Sequence, residues 1–442
     1  MLTDEATTTL TFFCLFFSVG LFLQNVAIML MSIVPLCFLT LGLSVDRPSD
    51  ISARRSMSDV GAVVGDVVEC KIEVSAKGGL GIVTFVDELP NEFELVEGNN
   101  FTAAWKGRGE KNVTISYKVK CAKRGTYSIN LKSESRHPFG FKQTLKGEGN
   151  EVEITVRPRL FDMRRMRGPS TSTRIPLPAG ALARIGSPTM EFRELRQYAW
   201  GDPLRFINWK ATARSTSRGN PVPIVNEYER EGKKLVWIFL DCSPAMLLGP
   251  SISNTFEHAV SAMCSLSHYY LSKGCMVGMC AFGGERIVLI HPDAGNRQYR
   301  RILMESLKLE PSRDASMSKM DLLAAVSECR GYLMGRKPLC IILGRFTERT
   351  LSSYRDGIRE LSKYCAIGRG RTSLILVNVM GYGLATKDLN GKIASGILVA
   401  KDKIFAKDLR GLSPFWIHWD PSAESLTSAT LRQVVKWRVA GW

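Results

Sequence analysis

The sequence predicts a multi-domain α+β protein. Its parts are an N-terminal transmembrane hairpin, a β-sandwich and a doubly wound α/β domain. Three observations carry this. No charged side chain occurs between Leu10 and Val45. Val113-Thr114-Ile115-Ser116-Tyr117-Lys118-Val119-Lys120 alternates apolar and polar residues with the period of a half-buried strand. From Lys234 onward, short apolar runs alternate with segments of helical period, as strands covered on both faces by helices do.

Taken in order, the apolar start comes first. As one helix, residues 10–45 would extend about 54 Å against about 30 Å of hydrocarbon, so a single straight span fits poorly. Gln24-Asn25 interrupts the run, and two short spans at 8–23 and 26–43 fit better. One span from Val26 with an interfacial helix before it is the alternative. A cleaved signal peptide is disfavoured, because Asp4 and Glu5 stand where Lys or Arg belongs. Arg47, Arg54 and Arg55 follow the last span, and no Lys or Arg precedes the first. The positive-inside rule then places the bulk of the chain in the cytoplasm, anchored at the cell membrane. Asn100-Phe101-Thr102 and Asn112-Val113-Thr114 are chance glycosylation sequons in that topology.

Residues 59–156 read as short strands. Turns at Lys77-Gly78-Gly79 and Arg124-Gly125 space them as an antiparallel sandwich spaces its strands. Residues 157–233 form a connector, rich at first in Pro, Ser, Thr and Arg. Residues 234–442 form the α/β domain. Strands are expected at 235–240, 276–282, 286–290, 339–343 and 374–379. Helices are expected at 255–271, 298–307, 322–333, 354–364 and 426–437.

The chain has 59 Lys and Arg against 42 Asp and Glu, a formal charge of +17. The connector is markedly basic, which suits an anionic lipid, an acidic protein or nucleic acid, or Arg residues paired locally. Eleven cysteines without framework spacing argue for a reducing compartment. His258, Cys264 and His268 share one helical segment, but no carboxylate joins them, so they do not make a zinc set.

The connector carries the most distinctive stretch, from Phe192 to Arg214. Arg193, Glu194, Asp202, Arg205, Asn208, Lys210 and Arg214 are interleaved there with Tyr198, Trp200, Phe206 and Trp209. Large apolar anchors beside forked guanidinium groups point to a fixed polar network at a joint or a docking surface. This block resembles the signature of the domain-of-unknown-function 58 family. The resemblance extends over most of the chain. It implies an immunoglobulin-like sandwich, left through His137-Pro138-Phe139-Gly140-Phe141, and a von Willebrand factor A-like doubly wound domain. It also implies partnership with a MoxR-type AAA+ ATPase acting on an unknown client protein.

Asp241-Cys242-Ser243-Pro244-Ala245 closes the first α/β strand and resembles a metal-ion-dependent adhesion site. Such a site needs oxygen ligands from three loops around a hard cation. Asp241 and Ser243 match. Ala245 replaces a second Ser, Met320 falls where Thr belongs unless Ser316 or Ser318 shifts in, and Arg345 replaces Asp. A cationic Arg345 opposes a metal and could pair with Asp241 itself, or point to solvent while Asp241 caps the next turn. The expectation is no bound metal.

Ser243 lies in no nucleophile elbow, and no phosphate-cradling loop ends in Gly-Lys-Ser/Thr. The expectation is therefore no enzyme, no cofactor and no small-molecule substrate. Three readings of the signature stay open: an interdomain clamp with buried Trp, a partner-docking surface, and single-stranded nucleic-acid binding. The sequence reads best as a membrane-anchored, cytoplasm-facing scaffold or adaptor. The rival is an outward-facing adhesion or ligand-binding protein, which needs the reverse topology.

Overall fold

The computed structural model describes residues 3–58, 61–142, 144–161, 188–199, 204–217, 222–230, 234–312, 320–334, 336, 338–347, 350–368, 371–385, 388–410, 415–430 and 432. The chain divides into two compact units, Met1–Arg159 and Leu160–Trp442.

The first unit begins with three helices, α1 (Asp4–Phe22), α2 (Val26–Met31) and α3 (Ile33–Ser44). Helix α1 packs on both others. The reversal falls at Gln24, whose backbone turns to φ 50°, and the Asn25 side chain caps α2 by accepting from the Ala27 N–H. Gly20 allows the two arms to touch, since a Cβ there would lie 2.7 Å from the Met29 backbone nitrogen. Residues 4–22 and 26–44 are each 19 residues long and apolar enough to cross a membrane. Each arm measures about 28 Å.

Eight strands follow: β1 (Asp50–Met57), β2 (Val67–Lys77), β3 (Gly81–Glu88), β4 (Phe93–Gly98), β5 (Phe101–Lys106), β6 (Lys111–Cys121), β7 (Gly125–Arg136) and β8 (Leu145–Val156). They form two four-stranded antiparallel sheets, ordered β1-β2-β6-β4 and β5-β3-β7-β8. The alternation in sequence becomes alternation in burial. Val68, Cys70, Ile72 and Val74 of β2 meet Val83, Phe85, Ile129 and Ile154 of the other sheet in one core. The sheet begins at Asp50 rather than at residue 59, because β1 pairs along its whole length with β2. Arg55 correspondingly is not a flanking charge at the membrane. It lies in the core, with 2% of its side chain exposed, paired to the fully buried Asp87.

The second unit holds a ribbon, β9 (Pro188–Gln197) paired to β10 (Ile224–Arg230), with α4 (Trp209–Thr216) between them. The doubly wound part then runs β11 (Leu235–Asp241), α5 (Thr255–Ser272), β12 (Met276–Phe282), β13 (Val288–Asp293), α6 (Asn296–Lys308), α7 (Leu322–Leu333), β14 (Leu339–Gly344) and α8 (Leu351–Cys365). After a small pair, β15 (Ala366–Gly368) with β16 (Arg371–Thr372), come β17 (Leu374–Val379), α9 (Tyr382–Ala385), α10 (Leu389–Arg410) and β18 (Phe415–Trp419). The sheet order is β13-β12-β11-β14-β17-β18, parallel except for β13. Two cores cover its faces, as the uninterrupted burial of β11 requires. Strand β18 and helix α10 were not expected from sequence. The helix expected at 426–437 is helical over 426–430, and most of its remainder lies outside the described residues.

Candidate functional site

The sheet changes winding direction between β11 and β14, since β12 flanks β11 on one side and β14 and β17 extend the other. In doubly wound sheets the strand ends at such a point form the ligand crevice. Asp241 ends β11, and Arg345 follows β14.

Asp241 is buried, 2% exposed. Its Oδ1 accepts from the Ser243 N–H at 2.8 Å and its Oδ2 from the Ser243 hydroxyl at 3.0 Å. The Tyr354 hydroxyl, from the first turn of α8, also donates to Oδ2, and the Arg345 backbone N–H adds a further donor. Two glycines make the room. Gly283 has φ 78°, and a Cβ there would lie 2.8 Å from Asp241 Oδ1. A Cβ on Gly344 would lie 2.3 Å from the Tyr354 hydroxyl. Burial pushes the Asp241 carboxyl above its ordinary range, and the donated hydrogen bonds only partly counter it. Burial, then the adjoining Asp241, pushes the Tyr354 phenol well up.

The Arg345 guanidinium does not pair with Asp241. It donates from Nη1 to the Ala245 carbonyl at 3.1 Å and lies over the Tyr382 ring, 4.8 Å from its centroid. The Tyr382 hydroxyl in turn donates to Asp402 at 2.7 Å. So Tyr354, not Arg345, occupies the space facing Asp241, while Asp241 also caps the following turn. Met320 contributes only its backbone, whose carbonyl accepts from Gly283 at 2.7 Å. Ser316 and Ser318 lie outside the described residues. These groups do not fit a hard cation: the one carboxylate is saturated by donors, the Ser243 hydroxyl donates to it, and Ala245, Met320 and Arg345 offer an alkyl group, a thioether and a guanidinium. Among the described residues, no three His, Cys, Asp or Glu gather as metal ligands. Sequence reading missed Tyr354, because a Tyr in an amphipathic helix carries no local mark of a long-range partner.

The described signature residues lie on the first strand of the ribbon and in the segment between its two strands. Arg193 and Glu194 lie in β9, Glu194 opposite Glu227. Half-buried Tyr198 donates its N–H to Pro223 O at 2.8 Å. Arg205 lies in the short turn Leu204–Phe206. Asp202 and the Arg193, Glu194 and Arg205 side chains are outside the described residues. Asn208 joins helix and strand: its Oδ1 accepts from the Ala211 N–H at 3.0 Å, and its Nδ2 donates to Asn226 Oδ1 at 2.8 Å. Trp209 is 69% exposed on its own unit. Lys210 and Arg214, four residues apart on α4, are also exposed. Arg214 falls in the last turn, where a cation suits the helix dipole.

This division of labour gives opposite expectations for neighbouring residues. Asn208→Ala removes a cap and an inter-element bond and is expected to lower stability by about 1–2 kcal/mol. Trp209→Ala is expected to leave the melting temperature unchanged. Thermal unfolding of the two variants in detergent tests the pair, and a large loss in Trp209→Ala would favour the interdomain clamp.

The family model described as "Protein of unknown function DUF58" matches residues 194–382. Uncharacterized proteins of Mycobacterium bovis and Mycobacterium tuberculosis are 24% identical over 149 residues, which cover 34% of this chain and 45% of each relative. The chain thus matches less than half the length of these curated relatives. Among solved structures, the VWA domain of SpRpn10 is similar at 12% identity and a TM-score of 0.27, covering 46% of this chain and 95% of that one. The cupredoxin domain of amoB from Nitrosocaldus yellowstonii is similar at 12% identity and a TM-score of 0.19, covering 25% and 88%.

Proposed function

We propose that this chain is a membrane-anchored, cytoplasm-facing scaffold or adaptor that works with a MoxR-type AAA+ ATPase through protein–protein contacts. In this reading the α/β domain is von Willebrand A-like, the sandwich immunoglobulin-like, and neither is catalytic. The observation that carries it is the closed switch point. The crevice that would take an ion or small substrate is filled by Tyr354 of the chain itself. Recognition then falls to surface side chains, and Trp209 flanked by Lys210 and Arg214 has the chemistry of an interface anchor. Anchoring is supported by two apolar arms whose outer ends meet one loop of the sandwich. Thr3 donates to Gly140 O at 2.5 Å, and the His137 ring nitrogen lies 3.0 Å from Val45 O. A membrane-crossing hairpin returns to the side it left, as this arrangement requires.

The test is native co-purification from the source membrane in mild detergent with slowly hydrolysed ATP. Recovery of an AAA+ ATPase with the wild-type chain, and its loss with Trp209→Ala, is the expected result. A well-folded bait that recovers no such ATPase sinks the adaptor reading. Protease digestion of sealed cells is expected to spare the sandwich; its cleavage from outside would favour the outward-facing adhesion protein.

A further inference from the structure

The outer face of the β5-β3 edge exposes four large apolar side chains in two facing pairs. Ile82 stands opposite Trp105, and Val86 opposite Phe101. Their exposures are 43% and 57% in the first pair, 36% and 57% in the second. Exposed aromatic pairs on a sheet face ordinarily mark a contact surface. The two pairs differ in where they lie relative to the helical hairpin.

The first pair is tied to the hairpin's base. Helix α3 ends at Ser44, and Asp46 O accepts from the Leu80 N–H at 2.6 Å. Lys106, next to Trp105, is buried and donates from Nζ to Gly79 O at 2.9 Å. Ile82 is two residues beyond Leu80, hence at most about 7 Å further along a strand. A bilayer's headgroup layer is about 5–7 Å thick on each side of the hydrocarbon. Val86 and Phe101 lie four residues further out, up to about 13 Å beyond the first pair. At the same base, Phe139 is exposed and its ring packs 5.2 Å from Phe38 of α3. Exposed Arg108 and Arg136 border the pair.

We infer that Ile82 and Trp105 form a second contact with the bilayer, in which the hairpin-proximal end of the sandwich rests in the phospholipid headgroup layer. The inference rests on the membrane reading above. Tryptophan favours that layer because its ring is apolar and its N–H polar. Exposed Arg108 is placed to meet lipid phosphate, a cation near an anionic surface contributing about 1 kcal/mol, while Arg136 pairs with Glu134 at 3.2 Å and would have to exchange that partner. The contact fixes the sandwich against the membrane in addition to its ties to the hairpin through residues 45–49, Thr3 and Phe38. Val86 and Phe101, a comparable apolar pair without the indole N–H, stay in water.

The experiment uses the full chain reconstituted in vesicles containing anionic phospholipid. Cys14→Ser and Cys37→Ser remove the exposed thiols, leaving nine buried ones. A single Ile82→Cys or Val86→Cys is then labelled with an environment-sensitive fluorophore, leaving Trp105 and Phe101 in place. A headgroup-nitroxide lipid is expected to quench the label at 82 severalfold more than the label at 86, with the reverse order for aqueous iodide. Trp105→Ala is expected to weaken the lipid quenching at 82, and Phe101→Ala to leave it unchanged. Equal quenching at both positions overturns the inference, as does shielding of both from lipid and iodide, which would mean a protein covers the face. Alkaline carbonate extraction separates the two levels. A chain that stays in the vesicles while position 82 reports water defeats this inference alone, whereas a chain stripped from them defeats the anchoring as well.

Discussion

Arg55→Met is expected to destabilise the sandwich by about 3–5 kcal/mol, because it leaves a buried carboxylate without its cation. Arg55 Nη2 pairs with Asp87 Oδ1, and Nη1 donates to Ile129 O at 2.9 Å. The Tyr117 hydroxyl donates to the other oxygen of Asp87. One guanidinium thus ties β1, β3 and β7 together across the two sheets. Burial holds the Asp87 carboxyl above its ordinary value, with Tyr117 and then Arg55 pulling it back down. Removing Arg55 moves it higher still. A carboxyl whose folded pKa is raised binds its proton more tightly folded than unfolded, so stability falls as pH rises through that window. The penalty of Arg55→Met is therefore largest at neutral pH and shrinks in acid, where Asp87 is protonated. The double variant Arg55→Met with Asp87→Leu is expected to recover most of the loss, since an apolar pair of similar volume avoids the desolvation cost. Melting temperatures of the three variants across pH check this. A small, pH-independent loss in the single variant would mean that the pair is not buried in solution.

Arg55 also shows where sequence reading stops. Period-two alternation in β2 and β6 mapped directly onto burial, because one face of each strand meets the core and the other meets water. The all-apolar run of β11 likewise announced a strand covered on both faces. A guanidinium two residues from the end of β1 carries no such mark. Its partner lies 32 residues away, and without that contact the residue reads as one more charge flanking a membrane span. The beginning of the sandwich was misplaced for the same reason, since β1 mixes Asp, Ser and Arg and owes its place to pairing with β2. Strand β18, Phe-Trp-Ile-His-Trp, was missed because five residues show too little period. Its burial comes from adding to the edge of β17.

At the candidate site the sequence offers two alternatives for Arg345, and the structure adds Tyr354, which neither contains. Asp241 and Ser243 stand out in sequence because they close an apolar strand and resemble the start of a metal-ion-dependent adhesion site. Ala245, Met320 and Arg345 depart in sequence from a cation's set of oxygen ligands. What filled the space depended on α8 bringing Tyr354 across the strand ends, a contact spanning 113 residues. The signature side chains that the structure describes include those of Tyr198, Asn208, Trp209, Lys210 and Arg214. Trp209 follows its helix cap and faces outward, whereas an aromatic among charges reads equally well as an anchor turned in or out.

Tyr354→Phe therefore probes the site most directly. It keeps the ring that packs on Phe346, at 4.5 Å between centroids, and deletes only the hydroxyl donated to Asp241. A hydrogen bond to a charged, buried acceptor is worth about 1.5–3 kcal/mol, so a loss of that size is expected at neutral pH. The ordinary carboxyl value is 3.8, and burial has already raised Asp241 above it. The lost donor favoured the ionised form, so the variant's folded pKa rises further. Stability then declines over a wider span of pH above 3.8 than in wild type. The gap between variant and wild type is smallest in acid and grows as pH rises, and melting temperatures from acid to neutral pH measure it. A constant gap would mean that Tyr354 does not serve an ionised Asp241. Magnesium in excess is expected to raise the melting temperature of neither protein, because freeing one acceptor on Asp241 still leaves Ala245, Met320 and Arg345 around it. Stabilisation of the wild type by magnesium would instead show that the phenol yields its place to the ion.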